Sequence, residues 1–436
     1  MKHQRTHFLG LGGIGMSALA HILLEEGETV SGCDLRPLPL LEKKGARITS
    51  SLPPCDRVIF SSAIKEDHPQ YLMAQEKKIP LLHRSLLLKE LIEAKRGLLV
   101  AGTHGKTSTS GLLTWVLTVA SRFPSFAVGG ILKNLGVNGG AGKGEFFVSE
   151  ADESDGSFLN YPGVGAIVTN IEVDHLDYWK DRETLLEGFK TFLSRVKQKE
   201  LLFFCADDPF LSSLSPKGVS YGRKGELKLL AFEQTFKQSV MSVAFEGKIY
   251  KDIFMPSMGE PLALNALAVF GLALRLGVDE KTIRAAFQSY QGVKRRLEHL
   301  GEKEKVTYID DYAHHPTEIR VTLESLRKSI GARRLVVLFE PHRYSRTRDH
   351  FSEFTKAFQC ADLVILTSIY GAGESPIPGV SGEILAKKMQ GGPALFFKRE
   401  ELEGLLPKLL IPGDVFVTMG AGSINQLPYQ LLENKG

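Results

Sequence analysis

The 436-residue sequence predicts an α/β protein of three units in series, with boundaries near residues 96 and 294. Apolar strand-like runs alternate with amphipathic helix-like segments, and that rhythm stops and restarts twice. At about 150 residues per domain, the length also allows three cores. A further observation marks the middle unit. Between Leu227 and Met255 the text changes to period-two alternation, as in "SVMSVAFEGKIY", with Glu246-Gly247 as a hairpin turn. A small antiparallel insert is therefore expected there.

The first unit, residues 1–96, opens with "HFLGLG" as a strand and "MSALAHILLEEG" as an amphipathic helix stopped by Gly27. "TVSGCD" is a second strand, and "DRVIFSSAI" another whose polar end lies where ligand loops sit in parallel sheets. "HRSLLLKELIEAK" closes the unit as a helix. The second unit, residues 97–294, restarts with the strand "GLLVAG", the turn "THGKTS" and the helix "TSGLLTWVLTVA". Strands "EFFVSEAD" and "GAIVTNIE" follow, then a helix from about Asp181 to Val196 and the strand "KELLFFCADD". Beyond the insert, "PLALNALAVFGLALRLG" and "DEKTIRAAFQSY" form a helix pair. The third unit, residues 295–436, repeats the rhythm in "KVTYIDDYAHHP", "RRLVVLFEP", "ADLVILTSIY" and "DVFVTMGAG".

An apolar content of 43% and a charged content of 24% are those of a soluble globular protein. A formal charge of +4 without a dense Lys/Arg stripe suits small anionic ligands and gives no case for nucleic acid. There is no uncharged apolar run of about 20 residues, so no membrane span is expected. Lys2, Arg5 and Ala18-Leu19-Ala20 imitate a signal peptide, but Gly10, Gly12, Gly13 and Gly15 interrupt its core. The four cysteines are widely spaced, which suits a reducing cytosol and a cytoplasmic location. Monomer and dimer stay equally open.

Two loops compete for the chemistry. Gly10-x-Gly12-x-x-Gly15, with Asp34 19 residues past the last glycine, reads as a backbone cradle for a diphosphate at a helix N-terminus. Alone it would suggest an NAD(P)-dependent oxidoreductase. Gly102-Thr103-His104-Gly105-Lys106-Thr107 lies between a strand and a helix, where backbone N–H groups, a lysine and a hydroxyl can hold a nucleotide triphosphate and magnesium. Val100 stands where the strict phosphate-loop pattern has glycine. A dehydrogenase needs no Gly-Lys-Thr loop, and a simple kinase needs no separate Gly-x-Gly-x-x-Gly domain.

Acids follow the next two strands: Glu150, Asp152, Glu153 and Asp155 after "EFFV", and Asp174-His175 after "AIVTN". These are places where magnesium ligands of nucleotide enzymes occur. In the third unit "DDYAHHPTEI" and "EPHRYSRTRDHF" both follow apolar strands, and Arg343, Arg346 and Arg348 offer forks for carboxylate or phosphate.

In this order, "HFLGLGGIGMSALA", "GTHGKTSTS", "EADESDGSF", "TNIEVDH", "DDYAHHPTE", "PHRYSRTRD" and "GAGSI" resemble the Mur ligases, the ATP-dependent enzymes that build the peptide of bacterial cell-wall precursors. The resemblance covers nearly the whole chain. It implies a Rossmann-like N-terminal domain for a UDP-sugar, a central P-loop ATPase and a Rossmann-like C-terminal domain bearing the amino-acid site. Within the family, the series is most similar to members that join L-alanine to the lactyl carboxylate of UDP-N-acetylmuramate in peptidoglycan synthesis, with ATP and Mg2+ as cofactors. ATP would phosphorylate that carboxylate, and the amine would attack the acyl phosphate, releasing ADP and phosphate. Glycine, L-serine or a recycled peptide are the alternative donors, because one methyl discriminates by only about 1–3 kcal/mol.

The resemblance also implies residue roles. Gly102, Thr103, His104, Gly105, Lys106, Thr107 and Ser108 surround ATP, with Lys106 at the β/γ-phosphates. Thr107 and Glu150 hold a first magnesium, and His175 ligates a second. Asn265, Arg296 and Asp311 complete the nucleotide site, Arg296 at the γ-phosphate and Asp311 at the ribose. Gly12, Gly13, Ile14 and Gly15 face the UDP diphosphate, with Asp34 and Ser62 nearby. Tyr312, His314, Arg343 and Arg346 frame L-alanine and the acyl phosphate. The implied catalytic set is Lys106, Glu150, His175, His314, Arg343 and Arg346. Two departures stand out: Pro261-Leu262 replaces the family's usual His-Asn before Asn265, and Cys33 replaces the usual serine before Asp34.

Overall fold

Short runs of Val, Leu, Ile and Phe, each followed by a polar turn, form the strands of three sheets in the computed structural model, which describes residues 4–256 and 259–433 apart from the side chains of Leu176 and Asp177. The first sheet consists of β1 (Arg5–Leu9), β2 (Thr29–Cys33), β3 (Arg47–Ile48), β4 (Arg57–Phe60) and β5 (Leu81–His83). Its order is β3-β2-β1-β4-β5, and every neighbouring pair is parallel. The order reverses beside β1, which places the Gly10–Gly15 loop at the switch point where parallel sheets bind ligands.

The second sheet is built from β6 (Arg96–Ala101), β7 (Ser125–Leu132), β8 (Val137–Gly140), β9 (Phe146–Glu150), β10 (Gly163–Val168), β11 (Leu202–Cys205), β12 (Val219–Gly222), β13 (Leu227–Gln234), β14 (Gln238–Phe245) and β15 (Lys248–Pro256). Its order is β15-β14-β13-β12-β11-β10-β6-β9-β7-β8. The expected insert is present as β13 to β15. Its strands continue the edge of the central sheet, and Glu246 and Gly247 (φ 50° and 75°) make the turn between β14 and β15. The expected helix near Asp181–Val196 runs Arg182–Arg195, with the Asp181 carboxylate accepting from Thr184 N–H as its N-cap.

The antiparallel pair β7–β8 was not anticipated from the sequence. It packs on helix Ile14–Glu25 with almost no space between them: a Cβ at Gly139 would lie 2.4 Å from the Ala18 carbonyl oxygen. Asn138 donates to Ile14 O (2.6 Å) at the start of that helix, and Ala141 N–H donates to the Glu25 carboxylate (2.7 Å) at its end. The first two sheets consequently form one compact unit, comprising residues 1–231, 241–254 and 262–292.

The second compact unit comprises residues 232–240, 255–261 and 293–436. Its sheet is β16 (Glu298–Lys303), β17 (Val306–Asp311), β18 (Leu335–Phe339), β19 (Leu363–Leu366), β20 (Ala394–Phe396) and β21 (Val415–Met419). The order is β16-β17-β21-β18-β19-β20, parallel apart from β16–β17. Val337, Phe339, Val417 and Met419 are buried on one face against Leu323 and Phe354. Val336, Leu338 and Phe416 are buried on the other against Leu402 and Leu427. Continuous apolar strands are what a parallel sheet covered on both faces requires.

Candidate active site

The loop between β6 and helix Lys106–Val119 is shaped by backbone that only glycine adopts easily. Gly102 has φ +125° and Gly105 φ +82°. A Cβ at Gly102 would stand 2.1 Å from Thr169 Oγ1, and one at Gly105 would stand 2.4 Å from Asn265 Nδ2. The segment after β10 straps the loop. Asn170 Oδ1 accepts from His104 N–H (2.8 Å), Thr169 Oγ1 donates to His104 O (2.7 Å), and Glu172 Oε2 meets His104 Nε2 (2.7 Å). Thr103 Oγ1 accepts from Glu172 N–H (2.9 Å). Asn265 thus borders the Gly102–Ser108 loop, while the buried Tyr221 hydroxyl lies 3.4 Å from its Oδ1.

Lys106 lies inside its own loop. Its ammonium donates to Gly102 O (2.7 Å), Thr103 O (3.3 Å) and Glu153 Oε2 (2.7 Å), with Asp152 at 3.7 Å. Burial works against the charge, but Glu153 and Asp152 outweigh it and hold the lysine pKa above its ordinary value. The other Glu153 oxygen is buried and has no hydrogen-bond partner among the described residues. At the end of β9, Glu150 accepts from the Thr107 hydroxyl and the Ser110 hydroxyl (3.2 Å each) and from Gly129 N–H. A carboxylate facing a hydroxyl at a helix N-terminus, beside a phosphate loop, is a set of hard oxygen donors that fits magnesium. His175 has φ +55°, and its Nε2 lies 3.5 Å from Asp174 Oδ2, the carboxylate–imidazole pairing that orients metal-bound histidines.

A cavity of about 310 Å³ connects this acid loop to the first glycine loop. Gly13, Ile14, Gly15 and Arg84 line one part, and Gly129, Glu150, Asp152 and Tyr161 another. Asp34 is committed to the loop itself. Its Oδ2 accepts from Gly12 N–H at 2.7 Å, and a Cβ on Gly12 would collide with that same oxygen. Ser61, not Ser62, lines the cavity; Ser62 is exposed and bonds to His83 Nε2 (3.1 Å).

In the second unit, Tyr312 and His314 follow β17, Arg296 lies just before β16, and His342, Arg343 and Arg346 follow β18. The Arg296 guanidinium stands 5.1 Å from the Tyr312 ring centre. His314 Nδ1 lies 3.1 Å from Tyr312 O, so Nδ1 carries the proton it donates. Arg346 Nη1 lies 3.3 Å from His342 Nδ1, and the His342 ring stacks on Tyr370. Arg343 has φ +71°, a strained value for an arginine, fixed by its N–H donating to Tyr370 O (2.8 Å). Arg348 pairs with Asp349 in an exposed position. Asp311 is buried, and its oxygens accept from Leu297 N–H (2.6 Å) and Ala313 N–H (2.8 Å). Burial pushes its carboxyl up to about 6 against the opposing charge of Arg296.

Burial holds the His314 and His342 imidazoles down at about 4, with Glu318 opposing it at His314. An unfolded histidine titrates near 6.5. Between pH 6.5 and 4 the unfolded chain therefore takes up protons that the folded chain refuses, and stability falls as pH drops through that window. For the His314 term the slope reaches at most about 1.4 kcal/mol per pH unit. We expect the thermal midpoint of His314→Asn to fall less between pH 7 and pH 5 than that of the unsubstituted protein. Equal slopes would mean that His314 is protonated alike in both states.

Models of three consecutive domains match the chain: "Mur ligase family, catalytic domain" over residues 5–96, "Mur ligase middle domain" over 100–273 and "Mur ligase, glutamate ligase domain" over 295–422. The UDP-N-acetylmuramate–L-alanine ligase of Protochlamydia amoebophila is 43% identical over 446 residues, covering 98% of each chain. The chain belongs to the Mur ligase family. The ligase of the same name from Anaeromyxobacter dehalogenans is 40% identical, over 99% of this Mur ligase and 98% of that protein. Among solved structures, the UDP-N-acetylmuramate–alanine ligase of Thermotoga maritima superposes with a TM-score of 0.86 at 28% identity, covering 99% of both chains. A murein peptide ligase from Psychrobacter arcticus shares the fold, with a TM-score of 0.71 at 23% identity over 98% of each chain. The three-domain α/β architecture is that of a Mur ligase, and Mur ligases are ATP-dependent.

Several residues of this Mur ligase's candidate site escaped the sequence reading. Thr169, Asn170 and Glu172 lie within the quoted "TNIE", but their work is to shape the phosphate loop from another strand. Tyr370 and Arg84 carry no local signal. Each is defined by what the topology brings beside it.

Proposed function

We propose that this Mur ligase joins L-alanine to the lactyl carboxylate of UDP-N-acetylmuramate, consuming ATP and passing through an acyl phosphate. The observation that carries the reading is the cavity shared by the Gly13–Gly15 loop and Glu150, because it lets one ligand touch a diphosphate cradle and a phosphoryl-transfer site. The full-length similarity to ligases bearing that name supports the substrate pair. A carboxylate is a poor electrophile until phosphate makes one oxygen leave.

The three units divide at residues 96 and 294 in this reading and supply acceptor site, ATPase and amino-acid site in turn. Gly102 to Ser108 hold the triphosphate, and Lys106 neutralises charge on its terminal groups. Thr107 and Glu150 would hold one magnesium and His175 a second; bound there, the metal offsets charge on the transferring phosphoryl group. Asn265 serves the nucleotide, as do Arg296 at the γ-phosphate and Asp311 at the ribose; Asp311 also accepts from Leu297 N–H, beside Arg296. Gly12, Gly13, Ile14 and Gly15 bind the acceptor diphosphate, with Asp34 bracing the loop and Ser62 at its margin. Tyr312, His314, Arg343 and Arg346 bind the amino acid, whose carboxylate suits the arginine forks. No described helix is long and apolar enough to cross a membrane, and a cytoplasmic location fits the nucleotide substrates.

The test is phosphate release from ATP with UDP-N-acetylmuramate across L-alanine, glycine, L-serine and a tripeptide. L-Alanine should give the highest kcat/KM. Release that is indifferent to the sugar nucleotide would sink the reading, and a preference for the tripeptide would replace L-alanine as donor.

A further inference from the structure

We propose that Arg84 binds the diphosphate of the acceptor and that Asp155 is its positioning partner. The inference rests on the reading of the acceptor as a UDP-sugar and adds to it a charged residue the glycine loop lacks. Gly12, Gly13 and Gly15 offer no side chain, and helix Ile14–Glu25 starts without a side-chain cap. The cavity in front of them is lined by two carboxylates, Glu150 and Asp152. A diphosphate there needs a cation of its own, since Lys106 is engaged with Asp152 and Glu153. Arg84 is the one Lys or Arg among the lining residues.

Its placement is specific. Arg84 Nη1 stands 3.4 Å from where a Cβ on Gly15 would be, so the guanidinium lies within contact distance of that position. Nη2 donates to Asp155 Oδ2 at 3.2 Å, and the two side chains are about three-quarters buried, at 25% and 23% exposure. Asp155 is itself fixed, since its Oδ1 accepts from Ser157 N–H at 3.0 Å. An arginine with one edge tied to a carboxylate keeps its planar fork oriented, the arrangement suited to two phosphate oxygens. Because Asp155 belongs to the acid loop that carries Glu153 and Asp152, the pair also joins the acceptor's anchor to the segment that holds Lys106.

The experiment is calorimetric titration of the full-length protein with UDP and, separately, with uridine. Arg84→Ala should weaken UDP binding at least tenfold and leave uridine binding unchanged. Arg84→Lys should recover only part of the loss, because an ammonium cannot fork. Asp155→Asn should weaken UDP binding three- to fivefold, and the double variant should bind no more weakly than Arg84→Ala alone. Equal UDP affinity in the unsubstituted protein and in a folded Arg84→Ala or Arg84→Lys variant overturns the proposal. An unsubstituted protein that binds neither UDP nor uridine overturns instead the acceptor reading beneath it.

Discussion

Lys106→Ala is expected to lower phosphate release by about a thousandfold or more, the scale on which charge stabilisation of phosphoryl transfer operates. The lysine is the one Lys or Arg between Gly102 and Ser108, and its ammonium lies on the loop's own carbonyls at Gly102 and Thr103. Loss of activity alone would be ambiguous, because the substitution also strands Glu153, whose side chain is 2% exposed. Breaking such a buried pair costs about 3–5 kcal/mol. Lys106→Ala combined with Glu153→Gln separates the two effects. Thermal unfolding should recover toward the unsubstituted midpoint while turnover stays absent. Turnover that returned with stability would show the lysine to be structural.

Glu150→Gln should reduce kcat by about a hundredfold or more and raise the magnesium concentration needed for half-maximal rate. The carboxylate faces the Thr107 hydroxyl at 3.2 Å, and glutamine keeps the size and one acceptor oxygen while removing the charge a divalent ion needs. The Ser110 and Gly129 donors can still be met by the amide oxygen, so the fold should persist. The check is a magnesium titration of phosphate release at saturating substrates. An unchanged half-saturation point, with only the maximum reduced, would assign Glu150 a role other than metal ligation.

The phosphate loop was legible because its elements are contiguous: an apolar strand, Gly-Lys-Thr and a helix, all within residues 96–119. The start of the helix after Asp181 was legible for the same reason. Contacts made across the topology were not. Nothing in "HRSLLLKELI" distinguishes Arg84 from a surface arginine; its partner lies 71 residues away. The β7–β8 hairpin carries Gly139 where the helix backbone at Ala18 leaves no room for a side chain and Gly140 where the Phe126 ring leaves little, so that part lacks the alternating apolar residues by which strands are recognised. Ser62, placed near the glycine loop, is one residue from Ser61, which lines the cavity, the step that moves a side chain to the opposite side of an extended chain. Asp34, placed near the glycine loop, has its carboxylate engaged by Gly12 N–H, a contact its sequence position did not signal.

The meeting of Gly139 with Ala18 works as a fixed gauge. No side chain intervenes whose rotamer could take up slack, and polar bonds at both ends of helix Ile14–Glu25 prevent it from sliding. The distance between the two glycine loops of this unit is therefore set by backbone thickness. Lineages that come to accept a longer or shorter acceptor have to do so by trimming what projects into the gap. The same contact makes residues 1–96 a poor transplant, since a donor graft would have to reproduce a bare backbone seat on its new host.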